Sequence, residues 1–300
     1  MLVAVTGAGG FLGGAAVRAL LAAGHEVRAL VRTRKVAAGI DARSIELPLV
    51  GAEVFAGCDA CVHAAAFHGL RVEDRQRMEL VNVEGTRAVL AAARAAGIRR
   101  FVHVSTMGTC APRADRQPAT ELDVIQPGPL TSHYARTKLA AERLALAAAD
   151  LNVVVVNPAA LVGSGDTAPS VTGRRILDVL HGMRPRVHEG PVNHASVEDV
   201  ARGIVLALER GRVGERYLLG GSNLDENAFL DFVCAAAGVP RPALPRQGVL
   251  ARLLQPRRPI PGNLAINDDK AVRELGYTKS PLEDAFRMAV ADYRARGLAP

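Results

Sequence analysis

The sequence predicts an α/β fold built on a doubly wound parallel sheet, with a smaller C-terminal lobe. Apolar runs typical of strands alternate with segments of helical apolar spacing throughout the first half of the chain. Several runs, such as Val153–Val156, are apolar throughout, as expected for parallel strands that helices cover on both faces. A length of 300 residues is enough for one large α/β domain or for two lobes.

Each element of the first half follows from its local pattern. The predicted strands are Leu2–Val5, Val27–Val31, Ala60–Ala66, Phe101–Val104 and Val153–Val156. The predicted helices are Phe11–Ala23, Val81–Ala96 and Tyr134–Ala149. Gly24 and Gly97 directly follow the first two helices, where glycine commonly ends a helix.

The pattern changes after Asn157-Pro158, where proline and glycine become denser. The predicted elements of this half are a helix at Glu198–Glu209, a strand at Arg216–Leu219, a last helix at Leu282–Arg296 and an irregular segment at Pro240–Pro261. We expect residues 1–157, rejoined by 191–220, to form the sheet domain, and 158–190 with 221–300 to form the lobe. The lobe would cover the carboxyl edge of the sheet, where ligands of such sheets bind.

The composition excludes several classes of protein. Apolar residues make up 49% and charged residues 22%, which excludes disordered and fibrous chains. The net charge is +7, but the arginines are scattered and aromatic residues make up only 4%, so we expect no nucleic-acid partner. The sequence contains no recognisable targeting signal and no apolar stretch of bilayer length. We therefore expect a cytoplasmic protein with no membrane partner.

The cysteine pattern requires an explanation of its own. Four cysteines are too few for a disulfide framework in a chain of this length. Cys58 and Cys61 have the C-x-x-C spacing of redox pairs, but they lead into a strand rather than a helix N-terminus. No second pair completes a zinc site. We favour ordinary packing for this pair and expect no metal.

A glycine-rich segment, Thr6–Gly13, joins the first strand to the first helix. Its Gly7, Gly10 and Gly13 have the spacing G-x-x-G-x-x-G. In such a loop one glycine makes the tight turn, another lets the backbone approach a pyrophosphate, and a third lets helix and strand pack closely. The diphosphate rests on the helix N-terminus, whose free N–H groups favour anions. In this strand–helix context the motif predicts dinucleotide binding.

The residues after the second strand indicate which dinucleotide binds. Proteins that bind NAD usually carry an acidic residue there for the ribose 2′-hydroxyl, whereas this chain has Arg32, Arg34 and Lys35. A guanidinium suits a 2′-phosphate in charge and in geometry. We predict NADP(H), with Arg32 as the main contact and Arg34 or Lys35 in support. A solvated basic loop is the alternative.

Tyr134 and Lys138 lie one helical turn apart on one face of a predicted helix. A free tyrosine has a pKa of about 10, which is too high for acid–base work near neutrality. A nearby cation lowers that pKa. Because the reduction of a carbonyl needs a proton as the hydride arrives, this pair is suited to the task. An accidental pair on a surface helix is the alternative.

Together these motifs resemble the extended branch of the short-chain dehydrogenase/reductase superfamily, which includes NAD(P)-dependent epimerases and dehydratases with a Rossmann domain. The likeness covers nearly the whole chain. Thr6–Gly13 resembles the glycine motif of that branch, and Tyr134 with Lys138 resembles its Y-x-x-x-K. Within the branch, Asn157–Gly163 and Gly214–Gly221 are most similar to dihydroflavonol-reductase-like enzymes.

The resemblance implies further site residues. It places the family's hydroxyl at Thr106, with Ser105 as the other candidate, and it places Ala64 and Ala65 beside the cofactor. The implied cofactor-binding set is Gly7, Gly9, Gly10, Phe11, Leu12, Gly13, Arg32, Lys35, Ala64, Ala65, Lys138 and Pro158. In the implied reaction, Tyr134 donates the proton and Thr106 holds the carbonyl oxygen. Lys138 lowers the tyrosine pKa and binds the nicotinamide ribose.

The chain departs from the family in two places. The stretch G-D-L, whose aspartate contacts adenine, is missing around Glu46-Leu47-Pro48, and Ser196 stands where many relatives have histidine. His68 and His133 are candidates for the substrate pocket, although loop and helix-start histidines are more often simply exposed.

We expect an NADP(H)-dependent oxidoreductase that reduces a ketone or aldehyde of a small organic substrate. Residues 1–157 would bind NADP, and the lobe would bind the substrate. A nucleotide-sugar epimerase or dehydratase is the first alternative. A substrate diphosphate needs arginines, and the C-terminal half has many, so charge does not exclude this alternative; they include Arg174, Arg175, Arg184, Arg186 and Arg216. A non-catalytic NADP-binding module is the second. The family resemblance also implies a homodimer.

Overall fold

A parallel sheet of seven strands is central to the computed structural model, which describes residues 1–33, 36–69, 71–129, 131–183, 190–242 and 263–300. The strands within these ranges are β1 Leu2–Thr6, β2 Glu26–Val31, β3 Asp41–Ser44, β4 Ala60–His63, β5 Arg100–Val104, β6 Val153–Pro158, β7 Ala160–Val162, β8 Val192–Ser196, β9 Arg216–Leu219 and β10 Ser222–Leu224. The large sheet has the order β3-β2-β1-β4-β5-β6-β9, and its strands pair in parallel. A small sheet has the order β10-β8-β7. The predicted fold class is confirmed.

Helices cover both faces of the large sheet. Those in the described ranges are α1 Phe11–Ala22, α2 Arg75–Met78, α3 Gly85–Ala95, α4 His133–Ala147, α5 Val171–Leu180, α6 Val197–Arg210, α7 Glu226–Ala237, α8 Asp269–Leu275 and α9 Leu282–Ala295. A π-helical segment, Glu79–Glu84, joins α2 to α3. Helices α1 and α6 pack on one face of the sheet, and α3 and α4 pack on the other.

The side chains of each strand alternate between these two layers, as the two-residue period of a strand requires. In β1, Val3 and Val5 join the core beneath α1 and α6, whereas Ala4 joins the core beneath α3 and α4. Phe101 of β5 is fully buried in the second core. Burial on both faces is the reason that these strands have continuous apolar sequences.

A third core lies in the C-terminal half, among α5, α7 and α9. β8 pairs with β7 and β10 in the small sheet, although the sequence pattern groups residues 191–220 with the large sheet. Helix α6 and strand β9 do pack on the large sheet, and β9 pairs with β6. We therefore propose a division in which residues 197–220, rather than 191–220, rejoin the sheet domain.

The remaining differences from the predicted elements have local causes. β4 ends at His63 rather than at Ala66, because the N–H groups of Ala64 and Ala65 turn to the carbonyl and hydroxyl oxygens of Thr6, at 3.3 and 3.2 Å. The four residues of β3 are all exposed, so no apolar pattern marks that strand. Helices α5, α7 and α8 were not predicted from the sequence. Residues 243–262 of the predicted irregular segment lie outside the described residues.

Replacing Phe101 with alanine tests the importance of the second core. The side chain is fully buried, so its truncation leaves a cavity and is expected to lower the free energy of unfolding by about 3–5 kcal/mol. The matched control is Leu122→Ala, because Leu122 is 91% exposed and its truncation creates no cavity. Urea unfolding followed by circular dichroism measures both. Equal stability of the two variants would contradict the assignment of Phe101 to the core.

Candidate active site and cofactor cradle

The candidate site lies at the carboxyl ends of β1, β4, β5 and β6. The chain adds β2 and β3 on one side of β1, and then β4, β5 and β6 on the other. The strand order therefore reverses between β1 and β4, and a crevice opens at such a point in doubly wound sheets. The glycine-rich loop, the Ala64–Ala65 segment and Thr106 all follow strands that end at this edge.

Glycines let the loop after β1 come close to the end of β4. Gly7 has a φ of +69°, and a Cβ atom there would lie 2.8 Å from the backbone nitrogen of Ala65. A Cβ on Gly13 would lie 2.1 Å from the carbonyl oxygen of Gly7. Side chains are therefore excluded where the loop backbone, the start of α1 and the Ala64–Ala65 segment approach one another. Gly7, Gly13, Ala64 and Ala65 are thus brought together.

The loop leads directly into the N-terminus of α1. Gly10 precedes the helix and is exposed, and no side chain caps the first turn. The free N–H groups of that turn suit an anion such as a diphosphate. Gly9 is half-buried beside it. Phe11 and Leu12 are also half-buried, and both pack with the cluster that joins α1 to α6.

A buried histidine connects the loop to the helices behind it. The Thr6 hydroxyl lies 2.7 Å from Nδ1 of His63, and the Thr86 hydroxyl lies 3.0 Å from Nε2. Because Thr86 donates its hydrogen to the carbonyl oxygen of Asn82 at 2.6 Å, the Nε2 atom must be the donor and Nδ1 the acceptor. Burial, with a smaller effect from the charge of Lys138, lowers the pKa of His63 to about 3. His63 is therefore a neutral structural link, which sequence reasoning missed.

Arg32 lies at the end of β2, next to the edge strand β3. Its side chain is exposed, and its carbonyl oxygen accepts a hydrogen bond from the Ser44 hydroxyl at 3.4 Å. No carboxylate follows β2 before β3 in this part of the described chain. The other basic residues of the prediction, Arg34 and Lys35, lie outside the described residues.

Helix α4 carries Tyr134 and Lys138. Ser132 begins the helix, because its hydroxyl accepts the N–H of Ala135 at 3.1 Å. Lys138 is 3% exposed, and its Nζ donates to the carbonyl oxygen of Val104 at 2.7 Å. Burial lowers the pKa of Lys138 to about 8, although the Glu142 carboxylate acts in the opposite direction.

The pKa of Tyr134 moves in the opposite direction to the sequence-based expectation. We expected Lys138 to lower it, whereas burial raises it to about 12. The cause is that the phenol lies in a poorly solvated site where its charged form is disfavoured. At neutral pH the Tyr134 hydroxyl is therefore protonated and able to donate.

The two hydroxyl candidates after β5 have different surroundings. The Ser105 side chain is 5% exposed and donates to Oε2 of Glu142 at 2.5 Å. Thr106 is half-buried, and its hydroxyl oxygen accepts the N–H of Gly108 at 3.1 Å, which leaves the hydroxyl hydrogen able to donate. Pro158, at the end of β6, is buried against the neighbouring β9.

The two candidate pocket histidines also differ. The His68 ring meets the Tyr134 ring edge-on, with centroids 4.5 Å apart. His133 instead lies 3.2 Å from the carboxylate of Glu79. The loop that carries His68 is held by Asn82, whose amide bonds both backbone groups of Phe67 at 2.7 and 3.0 Å. Asn82 lies in the π-helical segment, and its side chain is a link that the spacing pattern did not predict.

The cysteines lack the chemistry of redox or metal sites. All four are free and buried. Burial raises the pKa of both the Cys58 and the Cys61 thiol, so neither is a ready thiolate. Within the ranges that the structure describes, no cluster of three or more possible metal ligands occurs. No helix in those ranges is both long and apolar enough to span a bilayer.

Comparisons with known proteins agree with this geometry. Residues 3–220 match the model of the NAD dependent epimerase/dehydratase family. The chain belongs to this family. Members of the family bind a nicotinamide dinucleotide, and the glycine cradle, which a Cβ would fill, fits such a group.

Several relatives of this family member span nearly its whole length. It is 36% identical to sterol demethylase protein B of Methylococcus capsulatus, over 99% of this chain and 100% of that one. It is 33% identical to a putative dihydroflavonol 4-reductase of Synechocystis, over 98% and 94%. It is 35% identical to 4-hydroxy-2-methyl-3-oxo-4-farnesyl-3,4-dihydroquinoline-1-oxide ketoreductase of Stigmatella aurantiaca, over 95% of each chain. The resemblance to dihydroflavonol-reductase-like enzymes is thereby confirmed.

A solved structure gives the same result for the fold. The crystal structure of gox2253 is 32% identical, covers 100% of this chain and 99% of its own, and has a TM-score of 0.88. This likeness over the whole chain confirms the predicted fold class, and the reductase relatives confirm the resemblance to the short-chain dehydrogenase/reductase superfamily and support its oxidoreductase class.

Replacing Gly7 with alanine tests the cradle. A Cβ atom there would lie 2.8 Å from the backbone of Ala65, and the backbone of residue 7 has a left-handed conformation that alanine disfavours. We therefore expect dinucleotide affinity to fall roughly tenfold or more. Gly24→Ala is the matched control, because Gly24 also has a positive φ but nothing lies within 4 Å of its Cβ position. Fluorescence titration with NADPH and NADH measures both. An undiminished affinity in the Gly7 variant would show that this loop does not hold the dinucleotide.

Proposed function

We propose that this family member is an NADP(H)-dependent reductase that converts a ketone or aldehyde of a small organic substrate to an alcohol. The observation that carries the proposal is the half-buried Tyr134 phenol, one helical turn from the buried Lys138 ammonium. Burial raises the pKa of the phenol to about 12, so the phenol is protonated at neutral pH, and we propose that the positive charge of Lys138 assists the release of its proton. Tyr134 and Lys138 lie on α4, Thr106 follows β5, and Lys138 links the two elements through the carbonyl oxygen of Val104 at 2.7 Å.

The proposed reaction assigns one role to each residue. When bound, the reduced nicotinamide supplies a hydride to the carbonyl carbon. Tyr134 donates its phenolic proton to the carbonyl oxygen as negative charge develops there. Thr106 donates a hydrogen bond to the same oxygen, and Ser105 is less suited because Glu142 already accepts its hydrogen. Lys138, fixed by the carbonyl of Val104, provides positive charge beside the phenolate that forms.

The cofactor preference is proposed from the end of β2. Arg32 is exposed at the point where the ribose 2′ position meets the protein in doubly wound folds. Its guanidinium suits a 2′-phosphate, and Ser44 holds the Arg32 carbonyl from β3. We propose NADP(H) rather than NAD(H) on this basis.

The epimerase alternative is less favoured because two of the arginines it needs are already paired. Arg175 is 4% exposed, and its guanidinium bonds the Glu226 carboxylate at 2.6 Å and covers the Phe229 ring at 3.9 Å. Arg216 is 8% exposed and lies 2.6 Å from the Glu142 carboxylate. Neither is available to a substrate diphosphate. Arg184 and Arg186 lie outside the described residues.

We also propose a substrate entrance, a cellular location and an oligomeric state. Substrate would enter beside His68, whose ring contacts Tyr134. A cytoplasmic location agrees with four free, buried thiols, since disulfides are rare in reducing compartments. A homodimer is proposed from the family resemblance alone.

Tyr134→Phe tests the reaction. Loss of the proton donor is expected to lower kcat by about 10²–10⁴-fold while leaving NADPH affinity nearly unchanged. Tyr293→Phe is the matched control: its hydroxyl donates to Asp166 at 3.0 Å in the lobe, so its loss should affect stability rather than turnover. NADPH absorbance is followed with a panel of ketones, aldehydes, quinones and nucleotide sugars. Full activity of the Tyr134 variant would refute the assignment, and turnover of nucleotide sugars alone would favour the epimerase.

Arg32→Ala tests the cofactor preference. Removing one charged contact to a phosphate is expected to lower kcat/KM for NADPH by roughly tenfold to a hundredfold, with little change for NADH. Arg87→Ala is the control, because Arg87 is an exposed arginine of α3 that pairs with Glu84. Steady-state kinetics with both cofactors supply the measurement. Equal losses for NADPH and NADH would contradict a 2′-phosphate contact.

A further inference from the structure

Glu142 is a buried carboxylate that the proposed reaction does not use. It is 1% exposed on α4, and it follows Lys138 by four residues, as Lys138 follows Tyr134. All three side chains therefore lie on one face of the helix, one turn apart. A buried carboxylate is unfavourable unless it is paired and hydrogen-bonded, so its contacts indicate what it does.

One oxygen of Glu142 organises the backbone beyond β5. Oε2 accepts hydrogen bonds from the Ser105 hydroxyl at 2.5 Å, the Thr109 hydroxyl at 3.1 Å and the Asn157 amide at 2.9 Å. The same Asn157 amide also bonds the carbonyl oxygen of Thr106 at 3.2 Å. Glu142 thus holds the residue before Thr106 directly and Thr106 itself through Asn157.

The other oxygen of Glu142 forms an ion pair. Oε1 lies 2.6 Å from Nε of Arg216, which is on β9. Arg216 also donates to the carbonyl oxygen of Glu121 at 2.6 Å and to the Thr109 hydroxyl at 3.1 Å. The pair therefore joins α4, the segment after β5 and the edge strand β9.

We propose that Glu142 is a positioning residue, which fixes the helix of Tyr134 and Lys138 to the segment that carries Thr106 and places a negative charge one turn from Lys138. Three consecutive residues at the end of β5 are each held by a different buried side chain: Val104 by Lys138, Ser105 by Glu142 and Thr106 by Asn157. The proposal rests on the proposed function only in naming what these residues are positioned for.

The charges around Lys138 make Glu142 important for its protonation. His63 on β4 and His103 on β5 are both buried, and burial and the Lys138 charge lower the pKa of each, so both are neutral. Tyr134 on the same helix is protonated, since its pKa is about 12. Among the described residues, Glu142 is the carboxylate that raises the pKa of Lys138 against the effect of burial.

Groups on the far side of Glu142 do not replace it. Burial raises the pKa of the Cys110 thiol to about 12, so this neighbour of Arg216 carries no charge at neutral pH. Arg216 is paired with Glu142 and carries no negative charge that could replace that of the carboxylate. Without Glu142, the remaining influence on the pKa of Lys138 is burial, which lowers it.

The decisive experiment measures the pKa of Lys138 directly. The chain has only four lysines, so ¹³C-lysine labelling gives few NMR signals, and Lys138→Met identifies the signal of Lys138. Titration of the whole protein should give a value near 8 for the wild type. In Glu142→Gln, which has almost the same shape, we expect the pKa to fall by about one unit or more.

Arg216→Met is the matched control. It breaks the same ion pair but keeps the negative charge, so the pKa of Lys138 should not fall. Should Glu142→Gln fail to fold, Glu142→Gln with Arg216→Met removes both charges together, which buried sites tolerate better, and a lowered pKa is still expected. A pKa of Lys138 unchanged by removal of Glu142, or lowered equally by Arg216→Met alone, would overturn the proposal.

A kinetic readout separates this proposal from the proposed function. In an active reductase, the decline of kcat at alkaline pH should move to lower pH in Glu142→Gln and not in Arg216→Met. If the wild type reduces no carbonyl compound, the proposed function fails, yet the NMR titration still decides the role of Glu142. If the wild type is active and the alkaline limb does not move, Glu142 has only a structural role.

Discussion

The ion pair of Glu142 and Arg216 joins helix α4 to the edge of the sheet where the candidate site lies. Taking two charges out of water costs free energy, and it is repaid only where geometry and additional hydrogen bonds are good. Here the carboxylate also bonds Ser105, Thr109 and Asn157. The pair thus ties a helix to the ends of three neighbouring strands, β5, β6 and β9. Removing one partner leaves the other buried and uncompensated, so helix α4 and the sheet edge depend on each other.

Desolvation has a different consequence for each titratable group at this edge. It keeps Tyr134 protonated and His63 neutral, and it moves the pKa of Lys138 close to the physiological range. At neutral pH the tyrosine is therefore protonated, whereas the protonation of the lysine responds to its surroundings, among them the charge of Glu142. The histidine beneath the glycine loop serves only as a hydrogen-bond link between Thr6 and Thr86.

The sequence predicted those parts of the fold where only one type of residue fits, such as the glycine-rich loop after β1. Gly7 and Gly13 must lack side chains, and their spacing between a strand and a helix predicted the cradle. β3 has no apolar face, so no periodicity predicts it; only pairing with β2 defines it. The predicted direction of the Tyr134 pKa shift was wrong, because burial raises this pKa and the extent of burial cannot be inferred from the spacing of Tyr134 and Lys138. The sequence shows that Glu142 follows Lys138 by four residues, as Lys138 follows Tyr134. It does not predict the ion pair of Glu142, because Arg216 lies far away in the chain and only the packed structure brings the two together.

The order in which the chain builds the C-terminal lobe limits how the proposed substrate specificity could change. β8 pairs with both β7 and β10, although the three strands come from separate stretches of chain. Leu264 bridges to Val192, and Ile266 bridges to Ala119 of the sheet domain. No single cut therefore releases the lobe that we propose to bind the substrate, and a contiguous module cannot be exchanged between relatives. New substrates would have to be accommodated by individual substitutions and by loop length, while the shared framework stays intact.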